Sequence, residues 1–487
     1  MNTKAVNLNK KGLAILISLL ACFCFIFIFF ILYSAGIIPG VNKETDEKKE
    51  GFIHAVISAN TIEGSIIDRF GTPITYANTP GEAAEMYDEA AFSQLVGYNS
   101  FRYAQSGLRQ IFFDDLFDGD KDRRGADLHI TIDSQLQREF YSLLNGHMGS
   151  ISAINAETGE ILGLASRSDE EIDYYANKVD DIYSGEMTYF EKYNTIYEFW
   201  KNKATANSDT GGSTNKVITT AAAIETGMTD VIYDDLTGVY EIGNGKIVNA
   251  EHAIGGQGID LQSGLDNSYN VYFANLATKI GMAQFKSTAE KYLINSDIEL
   301  DFAILRSQLS FDGDDKAFLL ASAGYGQGQQ TISPLHIAMI FQSIINDGKM
   351  IRPYLVQSVV NNGKTVNKHK KTEIISETIG AENNSHLMEY LHNTALSKNY
   401  TFSEENYGYV IAKTGTAETG KTNSYGEKIG HVYIGFAVSF SNGSKYACCI
   451  DFAQTTGMYG VDLNSCAKSV IDSLYDYSYR QSAVEQG

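Results

Sequence analysis

Ser213-Thr214-Asn215-Lys216 sets a hydroxyl and an amine three residues apart, just after Gly211-Gly212 and at the head of an Ala-rich stretch that stops at Gly227. On a helix, residues at that spacing share a face, so the lysine nitrogen reaches the serine oxygen. A serine hydroxyl is a weak nucleophile until a base takes its proton, and lysine accepts a proton only when neutral. Lowering a lysine pKa from ~10.4 to ~8 requires about 3 kcal/mol against its charged form. Burial supplies part of this. A second cation at ~5 Å in an effective dielectric of ~20 supplies about 3 kcal/mol more. The pair therefore calls for another positive group nearby.

Lys413-Thr414-Gly415-Thr416, which holds the chain's one Lys-Thr-Gly, offers that group at the end of the strand-like run Tyr409-Val410-Ile411-Ala412. Gly415 leaves room there for another backbone to approach the strand. Between the two motifs, Ser268-Tyr269-Asn270 stands directly before an apolar helix running from Val271 to Ile280. Each triplet alone is unspecific. Ser465-Cys466-Ala467-Lys468 repeats the serine–lysine spacing on what reads as an outer face of the last helix. Ser58-Ala59-Asn60 and Ser397-Lys398-Asn399 repeat Ser-x-Asn as capping or turn residues. The ordered set is specific: a serine/lysine pair at a helix start, a second serine before another helix, and Lys-Thr-Gly on a strand. Serine β-lactamases and penicillin-binding proteins use this logic.

The positioning elements follow from periodicity. Residues 149–166 read as a β-hairpin whose turn ends at Gly159. A helix is expected over 213–227, with further helical patterns at 282–292, 334–347 and 382–396. The runs 408–417, 431–440 and 445–454 read as strands, with 418–430 as a polar connection, and a last helix covers 463–478. Strands at both ends with helices between them predict an α+β fold, one antiparallel sheet covered by helices.

The chain has 487 residues, enough for two or three domains. Its formal net charge of -21 argues against a nucleic-acid partner, which needs a basic face. Cys448 and Cys449 read as core strand residues. With Cys22, Cys24 and Cys466 they form neither a disulfide framework nor a zinc site. No metal or cofactor is expected. Lys4, Lys10 and Lys11 precede an apolar run from Leu13 to Ile38. Roughly 25 apolar residues suffice to cross a ~30 Å bilayer, and the lysines favour an inside N-terminus. The expected organisation is a cytoplasmic tail 1–12, an uncleaved transmembrane anchor 13–38, a stalk 39–50, a small β-rich module 51–140, and a catalytic domain 141–487 facing the cell exterior.

The chain resembles a class B penicillin-binding protein, a monofunctional D,D-transpeptidase. Besides the three motifs, residues 63–74 (Glu63-Gly64-Ser65-Ile66-Ile67-Asp68-Arg69-Phe70-Gly71-Thr72-Pro73-Ile74) resemble the opening of that class's N-terminal module. Ile132-Asp133-Ser134-Gln135-Leu136-Gln137 resembles the entry to its catalytic domain. Gly324-Tyr325-Gly326-Gln327-Gly328 with Ile332-Ser333-Pro334-Leu335 resembles another family stretch. The resemblance implies a penicillin-binding/serine β-lactamase-like transpeptidase domain. It implies that a stem-peptide D-Ala-D-Ala acylates Ser213, with Lys216 as base. Ser268 would relay a proton to the leaving amine, and Asn270 would bind the substrate amide. Lys413 would tune the site, with Thr414 and Thr416 on the substrate carboxylate and Gly415 between them. The backbone N–H groups of Ser213 and Thr416 would form the oxyanion hole, where one donor is typically worth about 3–4 kcal/mol. β-Lactams would trap Ser213. A membrane glycan polymerase of the shape, elongation, division and sporulation family would be the partner.

Five positions depart from the family pattern. Glu63 stands where the family has Arg, Gly211 where it has Pro, Asn215 where it has an aromatic residue, and Val432-Tyr433 where it often has Trp-Phe. Asn215 and Tyr433 bear on β-lactam affinity more than on activity, since neither removes a proton-transfer group. Two other readings share the motifs. A β-lactamase would need a glutamate to activate water, for which Glu251 and Glu418 are candidates, and would not need an anchor. A membrane-bound β-lactam sensor would need a cytoplasmic effector, and only residues 1–12 precede the anchor.

Overall fold

The structure is a computed structural model. It describes residues 53–485 apart from 55, 82–83, 88, 101–103, 118–123, 169–199, 207, 370, 399–407, 423–427 and 456–461. The expected tail, anchor and stalk lie outside the described residues. Among the described residues no helix is long and apolar enough to cross a membrane.

The 51–140 stretch differs from the expected β-rich module. Its strands are two residues long, as in β1 (Ile66–Ile67), except for the four residues of β2 (Asp127–Ile130). Helices at Glu89–Val96, Gly107–Ile111 and Phe113–Phe117 supply the apolar side chains Phe92, Leu108, Leu116 and Phe117 that fill its core. Glycine turns break the strand-like runs too often for longer ladders to form. Helix α1 (Ser134–Leu143) follows, capped by the Asp133 carboxylate, which accepts the N–H groups of Gln135 and Leu136.

The expected hairpin forms as β3 (Gly149–Asn155) and β4 (Ile161–Arg167). Then come α2 (Lys216–Glu225), α3 (Leu261–Asp266), α4 (Asn270–Ile280) and α5 (Pro334–Ile345). The hairpin β5 (Val356–Asn361) and β6 (Lys364–Lys368) joins the module, giving a small sheet ordered β1-β2-β5-β6. The chain closes with α6 (Ala381–Ser397), β7 (Tyr409–Thr422), β8 (Lys428–Ser439), β9 (Lys445–Thr455) and α7 (Leu463–Glu485). Strands β7 and β8 reach further into the connection than the polar run 418–430 suggests, pairing out to Thr422 and Lys428. Helix α7 likewise continues past the expected 478.

The main sheet is antiparallel throughout, in the order β7-β8-β9-β3-β4, so the early hairpin docks on the last strand. Alternation assigns its two faces. Val410, Ala412, Ile434, Phe436, Cys448 and Ile450 pack with Val470, Ile471 and Leu474 of α7 and with Phe140 of α1. Ile411, Tyr433, Ala437, Ala447 and Cys449 face α5 and the helices that carry the site. Every residue of α5 is buried, as expected of a helix that is apolar all round. Phe341 of α5 lies so close to β8 that a Cβ on Gly435 would be 2.3 Å from its ring. Cys448, Cys449 and Cys466 are buried free thiols.

Candidate active site

The Ser213 segment starts as a single 3-10 turn, Gly212–Asn215, that passes into α2 at Lys216, whereas one helix was expected from Ser213. Close backbone contacts explain its composition. Gly212 has φ +53, and a Cβ on it would lie 2.3 Å from the Thr416 carbonyl oxygen. Its N–H donates to the Gly326 carbonyl at 3.0 Å. A Cβ on Gly326, where φ is +92, would stand 1.6 Å from the Gly212 oxygen. Gly415 completes the contact, because a Cβ there would be 2.9 Å from both Gly211 O and Thr214 N. The turn is thus pressed between the Lys-Thr-Gly strand and the Gly324–Gly328 loop.

The structure brings the three motifs together. The Lys216 nitrogen lies 2.8 Å from Ser213 Oγ, 2.9 Å from Ser268 Oγ, 2.7 Å from Ser268 O and 2.9 Å from Asn270 Oδ1. It also sits 5.5 Å from the centre of the Phe273 ring. Lys216 has no exposed surface. Burial and then the Lys413 charge hold its amine well below the usual lysine range. Neutral, it has two N–H groups and one lone pair. The two pure acceptors, Ser268 O and Asn270 Oδ1, take the N–H groups, which leaves the lone pair for a serine hydroxyl proton. That is the arrangement a base requires.

Lys413, 2 % exposed, lies 3.1 Å from Ser268 Oγ and 3.1 Å from Thr414 O. Burial, then the Lys398 charge, bring its pKa down to about 7, with Asp266 opposing. Ser268 Oγ therefore bridges two amines. Ser268 holds φ +54, a left-handed conformation unusual for serine that typically costs about 1–3 kcal/mol. Neighbouring bonds impose it: Ser268 N–H to Leu265 O and Tyr269 N–H to Gly264 O. Asn270 opens α4, and its amide donates to Val248 O at 3.0 Å. Thr414 is half-buried, Gly415 is buried, and Thr416 is exposed at the strand surface opposite Val432.

Several contributors escaped sequence reasoning. Asn249 caps α4 from a distance: its Oδ1 accepts the Val271 N–H, and its amide donates to Asp235 Oδ2 at 2.6 Å. No local signal marks it. Phe273 was visible only as one apolar residue of a helix. The departures acquire partners. Asn215 donates to the Gln330 side chain, which in turn donates to Ala323 O and Gln327 O, tying the Ser213 segment to the glycine loop. Glu63 forms a fully buried pair with Arg109, Nε to Oε1 at 2.7 Å, and the guanidinium also reaches Gly97 O and Ala84 O. Tyr433 is buried against His431. Glu251 and Glu418 are exposed, and among the described residues neither side chain bonds to Ser213 or Lys216. Asp462 caps the start of α7, its carboxylate accepting the Ser465 N–H and hydroxyl, and Lys468 pairs with Asp472, as an outer helix face would.

Comparison with known proteins agrees with this geometry. The family model "Penicillin binding protein transpeptidase domain" matches residues 149–471. Penicillin-binding protein 3 of Bacillus subtilis is 29% identical over 246 residues, 48% of this chain and 35% of that protein. Peptidoglycan D,D-transpeptidase PbpA of Mycolicibacterium smegmatis is 26% identical over 55% of this chain and 58% of its own length. The matches thus span between about a third and three-fifths of these relatives' length. Among solved structures, the imipenem acyl-enzyme of penicillin-binding protein A from M. tuberculosis superimposes with TM-score 0.72 at 20% identity, over 86% of this chain and 99% of that one. The D,D-transpeptidase domain from Eggerthella lenta gives 0.71 at 21%, over 86% and 99%. These two likenesses establish the fold. With the matched region spanning β3 to α7 and all three motifs meeting inside it, the chain belongs to the penicillin-binding protein transpeptidase family.

Proposed function

We propose that this chain is a class B penicillin-binding protein, a peptidoglycan D,D-transpeptidase that works through a Ser213 acyl-enzyme. The contact of a desolvated Lys216 amine with Ser213 Oγ at 2.8 Å carries the reading. In acylation, Lys216 takes the hydroxyl proton as Ser213 Oγ attacks the carbonyl carbon of the penultimate D-alanine of a stem peptide. The backbone N–H groups of Ser213 and Thr416 receive the developing oxyanion. The proton passes from Lys216 through Ser268 to the departing amine, the C–N bond breaks, and D-alanine leaves. Burial, and then the Lys413 charge, keep Lys216 neutral, while Thr414 and Thr416 bind the terminal carboxylate. An amine of a neighbouring strand then attacks the ester. Its proton returns to Ser213 by the same relay, leaving a cross-link. A β-lactam opens on Ser213 in the same way, but its leaving amine stays tethered, so the adduct persists.

The β-lactamase reading is weaker because Glu251 and Glu418 are exposed and, among the described residues, neither carboxylate bonds to Ser213 or Lys216. The anchor 13–38 would hold the catalytic domain on the outer face of the cell membrane, N-terminus inside. Protease shaving of intact protoplasts should then remove the domain. The partner would be a membrane glycan polymerase of the shape, elongation, division and sporulation family, and a pull-down from membranes without such a polymerase would count against it. The decisive experiment incubates the protein with fluorescent penicillin, with Ser213→Ala as control, and locates the adduct by mass spectrometry. A long-lived adduct on Ser213 supports the proposal. Rapid turnover points to a β-lactamase. Failure with both penicillin and a D-Ala-D-Ala thioester overturns it.

A further inference from the structure

Residues 209–212 lead into the nucleophile turn across the face of the main sheet that the helices cover. Asp209 bridges to Ile332, whose N–H donates to the Asp209 carbonyl at 2.9 Å. The sheet beneath is apolar along most of its length, but at this end it carries buried polar side chains, among them Ser150, which is paired with Asp451. His431 of β8 is 4% exposed, and Asp451 of β9 has no exposed surface. The imidazole Nδ1 lies 2.7 Å from Asp451 Oδ1, and Nε2 lies 3.5 Å from Asp209 Oδ2. The ring stacks on Tyr433, 5.6 Å between centres and 12° between planes. His431 is paired with Ala417, the residue after Thr416.

An apolar residue at 431 would fill this place without the cost of two buried charges, and removing a carboxylate from water costs several kcal/mol unless it is paired. Asp451 Oδ2 has no hydrogen-bond partner among the described residues, so the imidazole is its main compensation. The pairing also joins two separate parts of the chain. Asp451 lies inside the sheet, whereas Asp209 belongs to the lead into Ser213. Three residues separate Asp209 from Ser213; the Thr210 hydroxyl donates to Glu418 O at 3.3 Å, and Gly212 then bonds Gly326 and lies against the Thr416 carbonyl. Little slack remains between these ties.

We infer that His431 is a positioning residue for the nucleophile. By bridging Asp451 to Asp209, it seats the lead on the sheet, so that Gly212 meets the Thr416 carbonyl and Ser213 stands beside Lys216. This rests on the proposed role of Ser213.

The test compares His431→Gln and Asp209→Asn with the parent chain by three measurements. These are the acylation rate constant and the non-covalent Kd for fluorescent penicillin, the melting temperature, and hydrogen exchange of residues 209–216 read by mass spectrometry. Asp209→Asn, at the less buried end, guards against a variant that merely fails to fold. The expected result is an acylation rate constant reduced by about tenfold, ~1.4 kcal/mol of barrier, at little-changed Kd. Exchange should be faster in 209–216 while β7, β8 and β9 stay protected. Parent-like acylation and exchange in both variants would overturn the inference, as would losses that only follow a fall in melting temperature. If the parent forms no adduct with penicillin and none with a D-Ala-D-Ala thioester, the Ser213 reading fails, and local exchange alone decides the clamp: faster in the variants supports it, unchanged overturns it.

Discussion

The Lys216 nitrogen touches Ser268 twice, at the carbonyl oxygen (2.7 Å) and at the hydroxyl (2.9 Å). The left-handed backbone of Ser268, φ +54, turns both groups onto the same amine. The carbonyl takes an N–H and holds the lone pair in place, while the hydroxyl links that amine to Lys413. Ser268→Ala keeps the first contact and removes the second. It should slow acylation by about 10²–10⁴, the usual worth of a positioned proton-transfer group, with the melting temperature nearly unchanged. Ser268→Gly should be equally slow yet more stable, because glycine accepts this backbone without penalty. Parallel melting curves and acylation rates check both.

Lys413 gives a pH signature with a definite sign. Its pKa falls from 10.5 to about 7 in the fold, so between these values the unfolded chain binds a proton that the native chain lacks. The resulting penalty is fully present below pH 7 and fades as pH rises toward 10.5. Lys413→Met removes it. The variant should be more stable than the parent at pH 7, by on the order of 4–5 kcal/mol from linkage alone, and the gap should narrow by pH 10. It should also lose acylation. Urea midpoints at the two pH values measure the gap, and equal gaps would mean that Lys413 is not depressed.

His336, fully buried in α5, works in the acid range. The Tyr292 carbonyl accepts from Nε2 at 2.8 Å, and Nδ1 lies 2.6 Å from the Ser307 hydroxyl, which suits a neutral ring. Burial takes its pKa from 6.5 to about 4. This depressed group contributes stability that is present above 6.5 and lost as pH falls through 4, about 3 kcal/mol in all. The parent should weaken steeply between pH 6.5 and 4. His336→Gln should start less stable but show a shallower slope in the same range by denaturant melts.

Gly326→Ala should abolish acylation and cost well over 3 kcal/mol, because its Cβ would collide with the Gly212 backbone at 1.6 Å. Gly443→Ala is the control. Its φ of +90 is equally left-handed, yet nothing lies within 4 Å of the new Cβ, so it should cost only about 1 kcal/mol and leave acylation intact. Comparable losses in the two variants would show that backbone conformation rather than the Gly212 contact governs position 326.

What the sequence determined by itself was local or additive. The Ser213–Lys216 contact is a property of any helical turn at that spacing, so it was legible. So was the use of a second cation, because a like charge nearby adds to what burial supplies toward neutralising a lysine. The alternation in 408–417, 431–440 and 445–454 identified the strands whichever neighbours they found. Tertiary structure decided what depends on meetings between distant segments. No residue type near Ser268 announces its left-handed backbone, which the turn between α3 and α4 imposes through the Ser268 and Tyr269 N–H bonds to Leu265 O and Gly264 O. Glu63 looked like a departure until Arg109 was brought to it. The glycines at 212, 326 and 415 look like ordinary loop residues until three backbones converge on them. Asp209, His431 and Asp451 lie on separate segments, and only the register of β7, β8 and β9 aligns them. Short-range geometry is set by bonds between near neighbours, whereas these contacts are set by which backbones can approach closely enough to exclude a side chain.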